Sequence, residues 1–307
     1  MFRWTLLKMS RSNKLKNLLM KVPIFKKSKE RFVAGETLYE AVSAIKKLNS
    51  ENLATSIDYL GENVKKKEDS IAVVDKYVNL LDMIKEENLS SHVSVKLTAL
   101  GLDINEKICK TNLEQIISKA AKVNSFVRID MENSPYTDKT LRLYNAMFKQ
   151  NSNVGIVLQS SLYRTMDDVC SLIDKGIANI RLCKGAYLES ADIAYQKKKD
   201  VDINYCNSSE KLLSSIRQGG VHPVFATHDE NMIDFVKSYA KKENVSQNDF
   251  EFQMLYGIRY DLQKQLVDEG YKVRVYVPFG KDWYGYFLRR LAERPANLWF
   301  VMKNMLK

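Results

Sequence analysis

Cysteine, proline and glycine are all scarce: the 307 residues include four Cys, five Pro and twelve Gly. The cysteines (Cys109, Cys170, Cys183, Cys206) stand far apart with no CxxC pair, so they read as reduced structural thiols of a cytoplasmic protein. So little glycine and proline excludes a fibrous or low-complexity chain. The three histidines (His92, His222, His228) form no ligand-spaced cluster, and no metal site is expected. No apolar run approaches the roughly 20 residues of a membrane-spanning helix. Arg3, Lys8, Arg11, Lys14 and Lys16 interrupt every candidate signal-peptide core, which argues against export. Neither GxGxxG nor GxxxxGK[ST] occurs, so a dinucleotide held by a glycine-rich loop has no sequence support.

What is present is a soluble, globular composition, 45% hydrophobic and 28% charged, with a formal net charge of +11. The charge is unevenly placed. Residues 1 to 31 carry ten Lys or Arg against Glu30 alone, so this extension holds +9 and the remaining 276 residues only +2. A nucleic-acid enzyme spreads cation over its working face, and this body does not, so nucleic acid is not an expected partner. Within the extension Leu15, Leu18, Leu19 and Val22 fall at helical spacing, flanked by Lys14, Lys16 and Lys21. Two readings stand: a helix lying on an anionic membrane surface, or one packed on the body with its charged face in water.

From about residue 32 onward the chain reads as one domain with a repeating unit. Thr37 and Glu40 make a capping-box pattern ahead of Leu38, Ala41, Val42, Ile45 and Leu48. Eight short apolar runs then read as buried strands: 54–59, 93–97, 126–131, 154–159, 179–183, 223–227, 250–255 and 273–277. Helical stretches separate them. One carries Ile71, Val74, Val78, Leu81 and Ile84 after Asp69 and Ser70; another runs from Thr165, with Asp168 three residues later, to Gly176. Parallel strands need such crossovers. An open doubly wound sheet shows the same alternation, and the count of eight favours a closed (βα)8 TIM-like barrel with an N-terminal helical extension.

In such a barrel the strand C-termini make the working face. Those ends are polar here: Lys96; Asp130 and Glu132; Gln159; Arg181 and Lys184; Thr227 and His228; Gln253, Leu255 and Tyr256; Arg274 and Tyr276. Lys96, Arg181 and Lys184 on one mouth repel each other unless an anion sits among them, so a carboxylate or phosphate ligand is expected. A last helix, starting near Asp282, places Tyr286, Arg289, Arg290 and Glu293 on one face, a pattern suited to bidentate capture of a carboxylate and to covering the mouth.

At this point the residues are recognisable as a set. Phe32-Val-Ala-Gly-Glu-Thr37, Val95-Lys-Leu-Thr98, Arg181-Leu-Cys-Lys-Gly-Ala-Tyr187, Phe225-Ala-Thr-His228, Phe252-Gln-Met-Leu-Tyr-Gly257 and Phe287-Leu-Arg-Arg-Leu-Ala-Glu-Arg-Pro-Ala-Asn297 resemble the proline dehydrogenase family in its short bacterial form. The resemblance implies FAD bound without a Rossmann domain, oxidation of L-proline to Δ1-pyrroline-5-carboxylate, and a membrane quinone as electron acceptor. By resemblance, Gln159, Arg181, Lys184, Gly185, Ala186, Thr227, His228 and Gln253 match flavin-binding positions. Lys96, Asp130, Tyr187, Leu255, Tyr276, Tyr286, Arg289 and Arg290 match the substrate pocket, and Glu62 with Glu293 the groups that gate it. The location this implies is cytoplasmic, with the basic extension against the inner face of the cell membrane as one option. The residues alone also admit a barrel aldolase using Lys96 or Lys184 as a Schiff base, and a non-catalytic binding protein that uses the barrel as scaffold.

Overall fold

The computed structural model describes residues 29–293, with side chains as far as residue 290. The basic extension up to residue 28, the side chain of Glu293 and the segment after it lie outside the described residues. Eight strands, β1 (Ala54–Tyr59), β2 (Ser91–Val95), β3 (Val127–Ile129), β4 (Val154–Gln159), β5 (Ala178–Cys183), β6 (Val221–Ala226), β7 (Glu251–Leu255) and β8 (Lys272–Phe279), are all parallel, each beside its sequence neighbours. β8 pairs with β1 from Ala54 opposite Arg274 to Tyr59 opposite Phe279. That pairing closes the sheet into a barrel and removes the open-sheet alternative.

Nine described helices surround or cap it: α1 (Leu38–Asn49), α2 (Lys67–Glu86), α3 (Glu106–Lys122), α4 (Thr137–Phe148), α5 (Thr165–Asp174), α6 (Lys198–Ser214), α7 (Glu230–Lys242), α8 (Tyr260–Asp268) and α9 (Trp283–Glu293). The expected capping box starts α1: the Glu40 N–H donates to Thr37 Oγ1, and the Glu40 carboxylate accepts from the Thr37 N–H. α1 buries Ala41, Val42, Ile45 and Leu48 against β8 and β1. It thereby takes the groove that the helix following β8 would otherwise fill, and α9 lies instead over the strand C-termini.

Two local expectations need correction. α2 faces the barrel with Val73, Val74, Tyr77, Leu80, Leu81 and Ile84, while Ile71 is exposed. Its length of 20 residues carries two overlapping apolar stripes, and the one with Tyr77 wins because that ring and hydroxyl both find partners in the barrel. Thr165 does not cap α5. Its hydroxyl donates to the carbonyls of Gln159 and Leu162, and Asp168 pairs with Arg164 instead. The hydroxyl is thereby spent on the turn between β4 and α5, whose Gln159 carbonyl also accepts from the Leu162 N–H, and not on the helix start.

An apolar layer joins strands to helices, contributed by Ile57, Val93, Ile129, Ile156, Ile180, Phe225, Phe252 and Val275 from the sheet. Side chains alternate along a strand, so their neighbours point into the barrel, where the lining is polar. The floor is built from charge: Arg274 makes a bidentate pair with Glu251 and donates to the Thr55 carbonyl. Arg128 donates to the carbonyls of Ile156 and Asn179 and to Asn179 Oδ1. Gly155 makes room for it, since a Cβ there would lie 2.3 Å from Arg128 Nη1. Arg274 therefore belongs to the floor and not to the mouth with Tyr276; two residues of strand separate them by about 6–7 Å.

Candidate active site

The centre of the mouth is a chain of paired charges contributed by five strand ends. Lys96, just past β2, donates to Asp58 of β1 at 2.6 Å, donates to the Tyr276 hydroxyl of β8 at 3.2 Å, and stands 3.6 Å from Asp130 after β3. Tyr276 in turn donates to Asp130 Oδ2 at 2.6 Å. Asp130 accepts from Arg181 of β5 at 2.9 Å, and the same guanidinium donates to the hydroxyls of Ser56 and Ser94 beneath it. Tyr77 reaches in from α2, donating to the Ser94 carbonyl and lying 3.3 Å from Asp58.

Burial alone would lower the Lys96 pKa, but Asp58 and Asp130 outweigh it and hold the ammonium well above its ordinary value. The Tyr276 phenol is pushed well up by burial and by Asp130 and Asp58, so it remains a donor. A Schiff-base lysine needs a depressed pKa and a neutral amine. Lys96 has neither, which disposes of the aldolase alternative there.

Lys184, beyond β5, is no freer: it contacts Asp202 of α6 and Asp229 after β6, at 2.5 and 2.6 Å, and Lys198 bridges the same two carboxylates. The expectation that three cations at one mouth call for an external anion is thereby corrected. Asp58, Asp130, Asp202 and Asp229 supply the counter-charge from within the chain. Around Lys184 the other expected flavin positions gather. Gln159 donates to the Glu132 carbonyl, the Thr227 hydroxyl accepts from the Asp229 N–H, and His228 Nε2 accepts from the Leu255 N–H. Gly185 takes φ +102° with its α-carbon facing the Ser161 hydroxyl, a place any side chain would fill. Gln253 lies deeper, its amide donating to Glu251 and its Oε1 without a partner.

α9 covers the mouth. Trp283, Tyr284, Tyr286, Phe287 and Leu288 pack on Phe32, Val33, Leu60 and Ile258, with Leu255 and Tyr276 beneath them. Arg289 turns to Glu62 in the loop after β1, at 2.7 Å, and lies 5.8 Å from the centre of the Tyr187 ring. Burial opposes its charge and Glu62 more than restores it. Arg290 lies 4.9 Å from the centre of the Tyr286 ring. A cavity of about 370 Å³ opens here, lined among others by Glu62, Glu132, Ala186, Tyr187 and Arg289. The Glu293 side chain, expected to brace an arginine, is outside the described residues.

The sequence reading missed Asp58, Tyr77, Asp202, Lys198 and the Ser56–Ser94 pair, whose hydroxyls lie 2.7 Å apart. None stands in a motif: Asp58, Ser56 and Ser94 acquire their roles from register, Ser56 being two residues below Asp58 on the inner face of β1, and Tyr77, Asp202 and Lys198 from the packing of α2 and α6 on the barrel.

A closed parallel barrel whose strand ends bring paired titratable groups to one mouth beneath a covering helix is a TIM-barrel enzyme, with its site at the usual end. Comparison with known proteins names the kind. The proline dehydrogenase family model matches residues 41–303. The chain is 41% identical over 277 residues to proline dehydrogenase 1 of Bacillus subtilis (strain 168), covering 90% of each, and 42% identical over 283 residues to the proline dehydrogenase of Deinococcus radiodurans, covering 91% of this chain and 90% of that one. A crystal structure of proline utilization A from Bdellovibrio bacteriovorus inactivated by N-propargylglycine superposes with a TM-score of 0.82 at 27% identity, over 87% of this chain and 32% of that one. The chain belongs to the proline dehydrogenase family and is an oxidoreductase.

Proposed function

We propose that the chain oxidises L-proline to Δ1-pyrroline-5-carboxylate with FAD seated in the barrel mouth, and passes the electrons to a membrane quinone. The observation that carries this reading is the connected set Asp58, Lys96, Tyr276, Asp130 and Arg181, roofed by the Arg289–Glu62 pair. It offers a small zwitterion cations for its carboxylate and rings for its body, at a mouth that a helix covers.

The residues present fit FAD. Arg181 Nε and Gln253 Oε1 are buried without partners in the barrel, the bare α-carbon of Gly185 leaves backbone open to close approach, and Lys184 with Lys198 presents two ammonium groups suited to phosphate. Gln159, Arg181, Lys184, Gly185, Ala186, Thr227, His228 and Gln253 would hold it. When bound, FAD supplies the hydride acceptor that no side chain can provide. Asp202 and Asp229 must yield Lys184 and Lys198, in part, to the phosphates.

In this reading Arg289, Arg290 and Lys96 grip the substrate carboxylate, and Tyr187, Leu255, Tyr276 and Tyr286 pack around the ring. Arg181, fixed by Asp130 and two serines, places a positive charge where negative charge develops, and it does so without reorganising. The Glu62–Arg289 contact keeps water out while the site is closed. Because carboxylates match these cations, the substrate ammonium meets no large excess of positive field.

Residues 1 to 31 would hold the enzyme against an anionic membrane, where the quinone resides. Their deletion is expected to abolish binding to anionic liposomes and spare turnover with a soluble dye; unchanged liposome binding removes that part. The deciding experiment for the reaction is the absorption spectrum of the purified protein before and after anaerobic L-proline. Flavin bands bleached by proline are expected. A protein with no affinity for FAD, or a flavin that proline leaves oxidised, overturns the reading.

A further inference from the structure

Glu132 stands at the end of β3, two residues beyond Asp130, and is almost fully buried. No lysine or arginine among the described residues comes within ion-pair distance of it. Its carboxylate accepts twice from one residue instead: the Thr98 N–H donates to Oε1 at 3.0 Å and the Thr98 hydroxyl to Oε2 at 2.6 Å. Thr98 passes the contact on. Its Oγ1 accepts from the Asn63 N–H at 3.0 Å, and its carbonyl accepts from the Val64 N–H at 3.1 Å. Asn63 is the neighbour of Glu62 and sits in the left-handed region at φ +56°, which asparagine takes readily, so its N–H bond to Thr98 ties the turn presenting Glu62 to the Glu132 contact. On its other side, the Glu132 carbonyl accepts from Gln159 Nε2 at 2.9 Å.

We propose that Glu132 is a positioning residue for the gate, setting the Glu62 loop through the direction of the Thr98 hydroxyl. The proposal deepens the proline-oxidation reading and rests on it for its catalytic consequence. The physics is one of donors and acceptors. An ionised Glu132 can only accept, so the Thr98 hydroxyl hydrogen must point at it, leaving an oxygen lone pair for Asn63. A protonated Glu132 can donate to that same oxygen, whose two lone pairs then serve both Glu132 and the Asn63 N–H, and the hydroxyl hydrogen is released to turn away from Glu132. The Thr98 hydroxyl then loses its fixed direction and its charge-assisted partner, and the gate loop is held more weakly.

Burial, partly offset by the two bonds from Thr98, pushes the Glu132 pKa up to about 7, so both states are accessible near neutrality. The charged and titratable groups that bear on it are Glu62 from the β1 loop, Lys96 after β2, Cys109 on α3, Tyr136 before α4 and Tyr187 after β5. Glu62 raises it and Lys96 lowers it. The phenols and the buried thiol, whose pKa is about 12, remain protonated over the range concerned.

The test uses the full-length flavin-loaded enzyme with a soluble dye, measuring KM and kcat for L-proline from about pH 5.5 to about pH 9. The wild type is expected to show a step in KM, falling as pH rises through about 7. Glu132→Gln removes the step and leaves KM at high pH about three- to tenfold above wild type, with a smaller change in kcat, since one hydrogen bond's direction is lost. Thr98→Val has the same effect with Glu132 intact, and Thr98→Ser restores wild-type behaviour. Glu132→Gln and Thr98→Val with an unaltered KM and step overturn the proposal, as does a Thr98→Ser that behaves like Thr98→Val. Should Glu132→Gln not fold, the Thr98 pair decides. If proline fails to bleach the wild-type flavin, the functional reading has failed separately. Amide exchange of residues 61–65 then tests the positioning: faster exchange in Thr98→Val supports it and unchanged exchange sinks it.

Discussion

The hydroxyl of Tyr276 donates to Asp130 at 2.6 Å, joining β8 to β3 across the mouth although these strands are not neighbours in the barrel. Asp130 thereby becomes the point where four strand ends meet, its own and those of Tyr276, Arg181 and Lys96, since Arg181 at 2.9 Å and Lys96 at 3.6 Å share the same carboxylate.

Removing that carboxylate should be severe. Asp130→Ala leaves a buried guanidinium and a buried phenol without their acceptor, and a loss of about 3–5 kcal/mol of stability is expected, with Asp130→Asn intermediate. Urea unfolding of the purified variants measures it. An Asp130→Ala protein as stable as the wild type would show that Ser56 and Ser94 suffice to hold Arg181.

The Asp58–Lys96 pair calls for a double-mutant cycle. Lys96→Met alone strands a fully buried carboxylate and should destabilise by about 3 kcal/mol, whereas adding Asp58→Asn should recover most of it, with a coupling of about 2 kcal/mol. Proline turnover should be lost in both Lys96 variants. Additive losses would mean that Tyr77 and not Lys96 is the main support of Asp58.

Glu132 also makes a prediction about stability. Its folded-state pKa of about 7 lies above the ordinary 4.5, so the folded protein binds this proton more tightly than the unfolded chain does. The stability from that proton is fully present below about pH 4.5 and is lost as pH rises through about 7, up to about 3 kcal/mol in all. The melting temperature of the wild type should therefore fall relative to that of Glu132→Gln between about pH 5 and about pH 8. Parallel pH profiles for the two proteins would contradict it.

The floor supplies a test independent of activity. In Gly155→Ala the new methyl meets Arg128 Nη1 at 2.3 Å and Asn179 Oδ1 at 2.8 Å, and three hydrogen bonds prevent the guanidinium from stepping aside. A loss of about 2–3 kcal/mol is expected, shrinking when Arg128→Met is added. An equal loss in both backgrounds would place the clash elsewhere.

Much of the fold was legible because a parallel barrel repeats its signal. Runs such as 54–59 and 154–159 are short and bounded by helical periodicity, and they match β1 and β4 residue for residue. The roof was legible through Arg289 and Arg290. What could not be read was pairing. Asp58 sits in an unremarkable run, Ala54–Tyr59, and matters only because register sets it beside Lys96. Asp202 and Asp229 look like solvated helix-end acids until α6 and the β6 loop bring them to Lys184. Counting cations at strand ends therefore overstated the positive field, since partners such as Asp58 and Asp202 lay in segments with no pattern to mark them. In α2, two stripes competed, and the choice fell to Tyr77, whose polar tip no hydrophobic periodicity weighs.

Because α1 occupies the groove between β8 and β1, the ring of strands is sheathed without help from α9. Standing upright and admitting a guest are thus assigned to separate stretches of polypeptide. A substitution or displacement in α9 would therefore leave the cylinder below intact, and selection could reshape the cover without endangering it.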